Sequence, residues 1–159
     1  MTRNATMILG ISLLLAGLGL PKASGEPQDD AFRKELKAMA GTWRPISTEN
    51  NGNKAPEEIL KEIRWARDAD GKWAMQRDDK TVLEWTVKKI DATKKPKTID
   101  LEVTVGPYKG QIYRGIYELD GDTLRVCLAQ PERTERPTDF SGRKGSNCDA
   151  LSEFKREKN

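Results

Sequence analysis

The chain has 159 residues, a third of them charged, with a formal net charge of +3, two cysteines and no histidine. That length sets one domain behind, at most, a leader. The near balance of charge gives no electrostatic footprint for nucleic acid, whose binders need a clustered basic face, and the lack of histidine removes the commonest general base and metal ligand.

The first 25 residues read as a secretory signal peptide. Arg3 gives a positive start, and residues 7–20 are an apolar run too short to span a bilayer comfortably. Ala23 and Gly25 then place small residues at a cleavage site before Glu26. The competing reading is an uncleaved anchor. No cysteine follows the apolar run, so a lipoprotein anchor is not expected, and no later segment is apolar enough to span. The expected mature protein is a single domain over 26–159, secreted or periplasmic. Losing Arg3 and Lys22 with the leader leaves it close to neutral.

Residues 28–40 read as a helix, because Phe32, Leu36 and Met39 fall on one face. Asp29 and Asp30 suit its positive N-terminus and Gly41 is placed to end it. Strand signals follow at 43–48, 63–67, 72–77, 81–90, 97–105, 110–119, 123–128 and 149–156. Between the first two, Pro56 followed by Glu57 and Glu58 predicts one or two helical turns. Asp70-Gly71 and Asp120-Gly121 are hairpin turn signals. In 97–105 the alternation is clean, with Ile99, Leu101, Val103 and Val105 on one face. Eight strands with short connections build a meander, and closing it removes its edges. The expected fold class is all-β, an eight-stranded antiparallel meander barrel with a short N-terminal helix. Such a barrel is either filled by its side chains or holds one small ligand.

Three features resemble lipocalins: a helix before the barrel, Gly41-Thr42-Trp43 on the first strand, and Arg156 on the last. The resemblance implies a structural lock, Trp43 closing one end of the barrel with Arg156 packed across it; arginine over an indole face is favourable by about 0.5–2 kcal/mol. Further segments carry a closer likeness: residues 91–100, Gly106-Pro107-Tyr108-Lys109-Gly110, residues 115–124, and Arg136-Pro137-Thr138-Asp139-Phe140. Together they resemble a lipocalin-like paralogous family abundant in planctomycete bacteria. That family brings a fold and a secreted location, with no established activity.

Cys127 and Cys148 predict a disulfide, an even count in an exported chain. It would close a loop of about 20 residues and stabilise by roughly 3 kcal/mol on the chain-entropy model. A pair of quiet thiols is the alternative.

The candidate ligand-binding residues are Trp65, Trp73, Met75, Trp85, Tyr113 and Arg114. Three tryptophans on three consecutive strands line one side of the barrel if they face inward. With Met75 they form an adaptable apolar pocket or fill the interior outright. On the sixth strand either Arg114 or the pair Tyr113 and Tyr117 points inward. An inward Arg114 needs a carboxylate partner or an anionic ligand. Asp68, Asp70 and Gly71 read as a hairpin turn, since the spacing is wrong for a calcium loop. The adjacent acids Asp78 and Asp79 read as solvent-facing strand residues. Ser141 and Ser146 have no base to activate them.

The leading functional expectation is a secreted monomeric binding protein for a small apolar or amphipathic molecule, reached past the 50–62 connection with residues 56–60 as a lid. The alternative is a filled barrel that binds another protein or an envelope component through the polar loop 131–146. An enzyme is the third reading, disfavoured by the missing histidine and nucleophile motif. No metal, cofactor or nucleic acid is expected.

Overall fold

The computed structural model describes residues 27–142 and 147–158. The signal-peptide reading of 1–25 falls outside the described residues, as does Ser146.

Helix α1 (Pro27–Met39) carries acids in its first turn and Lys37 in its last, the order its dipole favours. It leads into β1 (Gly41–Asn50), the two-residue β2 (Asn53–Lys54) and a short helix α2 (Glu57–Lys61). Seven strands follow: β3 (Ile63–Arg67), β4 (Lys72–Arg77), β5 (Lys80–Asp91), β6 (Lys97–Val105), β7 (Ile112–Asp120), β8 (Thr123–Leu128) and β9 (Ala150–Arg156). All neighbours pair antiparallel, and β1 also pairs with β9 from Trp43↔Arg156 to Asn50↔Ala150. The meander therefore closes into an eight-stranded barrel, with β2 an appendage on β1. This is the lipocalin-like architecture expected from the strand pattern.

The turns obey their chemistry. Asp68 Oδ1 accepts the backbone N–H of Asp70 and of Lys72, which fixes the β3–β4 hairpin. Asp78 and Asp79 are not strand residues. They form the β4–β5 turn, both at positive φ, a conformation a short acidic side chain tolerates.

Register shifts on three strand pairs set which side chains point inward. The β1–β9 register shifts between Pro45 and Ser47, and the β5–β6 register shifts between Val87 and Lys89. Each adds a residue to one strand. Val87 and Ile90 consequently share the core, three positions apart, where strict alternation would put them on opposite faces.

One end of the barrel is shut. Leu36 and Met39 of α1 join Trp43, Val87, Ile90, Tyr117 and Leu124 in the principal core. Tyr117 Oη donates to Glu35 Oε2 at 2.8 Å, and Lys97 Nζ lies 2.7 Å from Glu35 Oε1. Burial, then the bond to Glu35, pushes the Tyr117 hydroxyl well above its ordinary range. Trp43 Nε1 donates to the Met39 carbonyl at 2.9 Å, and the Arg156 guanidinium lies 4.2 Å from the Trp43 ring centre. Arg156 also donates to the Ala38 and Ala40 carbonyls, so it caps the C-terminus of α1 while covering Trp43. Gly41 makes room for this: a β-carbon there would sit 3.2 Å from Arg156 Nη1.

The Cys127–Cys148 disulfide is formed. With Ile116 it makes a second core on the barrel's outer face, joined by Phe140 and Leu151. The segment between β8 and β9 is strapped to the sheet. Arg136 donates to the Ile99 and Gly115 carbonyls and to Asp100 Oδ1. The buried carboxylate of Asp149 takes the Gln130 N–H and pairs with Arg133 at 2.8 Å.

Candidate ligand pocket

The other end of the barrel holds a cavity of about 390 Å³, within the range of about 300–1,000 Å³ common for small-molecule sites. Its wall is built by alternation. Ile63 and Trp65 come from β3, Trp73 and Met75 from β4, Leu83 and Trp85 from β5, and Tyr113 from β7. Val126, Leu128 and Phe154 close the far side. The aromatic groups touch one another: Trp65 and Trp85 have ring centres 5.1 Å apart, Trp85 stacks with Tyr113 at 5.9 Å, and Phe154 meets Trp65 edge-on. Such pairs hold one another in place. The lining is largely apolar. Its polar members, Thr48, Asn50 and Ser152, belong to β1 and β9, and the Thr48 and Ser152 hydroxyls bond each other at 3.2 Å.

Helix α2 lies at the mouth. Ile59 and Leu60 line the cavity, Leu60 buried and Ile59 partly exposed. Exposed apolar side chains at Val82, Val105, Tyr108 and Ile112 belong to strand ends and a turn on the same end of the barrel.

Five of the six residues singled out in the sequence meet around this cavity: Trp65, Trp73, Met75, Trp85 and Tyr113. Arg114 does not join them. On β7 the tyrosines take the inward positions, so Arg114 shares the outer face with Ile116, opposite Asp100 of β6. Tyr117 faces inward too, but at the shut end under α1.

The residue that sequence reasoning passed over is Arg67. It is 3 % exposed, and the rings of Phe154, Trp73, Trp43 and Trp65 surround its guanidinium at 4.3, 4.6, 5.3 and 5.6 Å. Nε, Nη1 and Nη2 are all buried and find no hydrogen-bond acceptor among the described residues. Burial, aided by the like charge of Arg156, lowers its pKa to about 9. The signal was in the sequence: the inward series Ile63, Trp65 continues by two to Arg67. Among the described residues no group of histidine, cysteine or carboxylate side chains could hold a metal ion, and no helix is long and apolar enough to cross a membrane.

Fold and site together define a closed eight-stranded antiparallel barrel of lipocalin-like architecture, shut at one end and hollow at the other. No family model and no curated protein matches the chain.

Proposed function

We propose that this protein is a lipocalin-like carrier that takes a small apolar or amphipathic molecule into the open end of its barrel. The observation that supports this best is the aromatic cavity of about 390 Å³. A filled barrel would leave space for little more than a water. Binding rests on burial of apolar surface, at about 25 cal/mol per Å², against rings already packed together. Helix α2 acts as the lid, with Ile59 and Leu60 as its inner face. The cavity lining is largely apolar, which suits binding of an apolar body. The resemblance to the planctomycete family belongs to the same reading. So do the cleaved signal peptide, a monomeric state and residence outside the cytoplasm, which a disulfide suits.

The test is native mass spectrometry of protein exported to a periplasm, followed by solvent extraction. A reproducible bound mass is expected, and it should be lost in Trp85→Ala or Trp73→Ala variants that stay folded. An adduct that survives both substitutions would place binding elsewhere.

A further inference from the structure

Arg67 is built into the barrel as a charge with no counter-charge among the described residues. Along β3 the inward positions run from the mouth to the shut end as Ile63, Trp65 and Arg67. Arg67 thus stands one inward step below the cavity wall. Trp65, Trp73 and Phe154 belong both to the cavity lining and to the ring cage around the guanidinium. Rings can stabilise the faces of a guanidinium. Its donors lie in the plane, at the edges, and these stay unpartnered.

The chemistry of the unpaired atoms is one-sided. Among the described residues, the buried side-chain polar atoms without a protein partner are Arg67 Nε, Nη1 and Nη2, Trp73 Nε1 and Trp85 Nε1. Every one is an N–H donor. Both indoles line the cavity, and no carboxylate does. The charge that acts on Arg67 is a second cation, Arg156. Unpartnered buried side-chain atoms that are all donors, set around the positive charge of Arg67, are complementary to a ligand group that accepts and carries a negative charge. A carboxylate meets both conditions and matches the guanidinium fork in its plane. A doubly charged phosphate would leave one charge uncompensated in an apolar site, which is costly.

Resting on the carrier reading, we infer that the ligand is an amphipathic monocarboxylate whose head group reaches Arg67 between the shared rings while its apolar body fills the aromatic cavity. The indole N–H groups of Trp73 and Trp85 serve as further donors along its path.

Dodecanoate and dodecanol present the same apolar body with and without the carboxylate, and tryptophan fluorescence follows their binding to the protein. Dodecanoate is expected to bind about tenfold tighter or more, the order of a charge-assisted hydrogen bond. Arg67→Met is expected to bring the two to parity while dodecanol affinity holds, and Arg67→Lys to keep part of the preference. Equal affinities in the unaltered protein, a preference that survives Arg67→Met, or a parallel loss of both ligands would each overturn the head-group assignment and leave the carrier reading standing. Failure of both ligands to bind would overturn both readings. The comparison in the unaltered protein needs no variant, so it decides even if Arg67→Met does not fold.

Discussion

Arg67 shows how one residue sets the character of an interior. An unpaired buried cation is costly, and cation–π contacts at about 0.5–2 kcal/mol each offset only part of that cost. Replacing it with an apolar side chain of similar length removes the desolvation penalty, so Arg67→Met should be at least as resistant to urea as the parent. The pH dependence carries the same signature. The folded pKa of about 9 lies below the ordinary 12.5. Between those values the unfolded chain holds a proton that the folded chain has released, so this group's contribution rises with pH in that window and falls away as pH drops through about 9. The stability gap between Arg67→Met and the parent should therefore narrow from pH 8 to pH 10.5, measured by urea unfolding at each pH. Tyr117 has the opposite sign. Its hydroxyl is raised above the ordinary 10 by burial and by Glu35, so its contribution is complete below 10 and is lost as pH rises. Tyr117→Phe should flatten the alkaline decline of the parent.

At the scale of elements, the segment between β8 and β9 changes meaning once its contacts are known. Its composition reads as a polar loop, stapled if the two cysteines pair, that could meet a partner. In the fold it is a strap: the disulfide anchors it at both ends and Arg136 bonds two strand carbonyls beneath it. Arg125 lies 4.6 Å from the Phe140 ring centre, which holds the strap from the sheet side. Reducing the bridge or making the Cys127→Ser, Cys148→Ser double variant frees a loop of 21 residues of sequence separation. The expected cost is roughly 3 kcal/mol, read as a lower urea midpoint with faster proteolysis confined to the 130–142 segment. Unchanged stability would mean that the outer-face core holds the strap alone. The other elements were mostly legible. Strands 63–67, 72–77, 97–105 and 123–128 match their predicted bounds, because strict alternation and flanking turn residues mark them on both sides. Pro45 was not legible as a bulge position, nor was Thr48 as a pocket residue, since the extra residue in β1 answers to its pairing with β9, far away in sequence.

For the whole molecule, closure divides the barrel into a rigid half and an accessible half. The shut end gathers α1, the Trp43–Arg156 contact and the part of the principal core around Val87, Ile90, Tyr117 and Leu124. At the mouth the short helix α2 brings Ile59 and Leu60 to the cavity. Local opening should follow that division, since segments with little apolar burial open at low free energy. Amide hydrogen exchange is expected to be slowest in β6, β8 and the β1–β9 seam near Trp43, and fastest in α2 and β2. Binding an apolar ligand should slow exchange in α2 in particular. Equal protection at both ends would contradict a lid that opens.

The sequence by itself determined that this is an all-β meander of eight strands behind a helix, that Cys127 and Cys148 had only each other to pair with, and that indoles cluster on three neighbouring strands. These follow from local periodicity, turn chemistry and counting, which a linear string carries in full. Only the tertiary structure decided that the barrel is hollow, that Arg114 faces outward and that Arg67 lies beneath the cavity with no partner among the described residues. Cavity volume is a difference between the space the strands enclose and the side chains they supply, and neither is fixed until register and bulges are set. Whether a buried charge has a partner likewise depends on every strand at once, because the acceptor it lacks could have come from any of them.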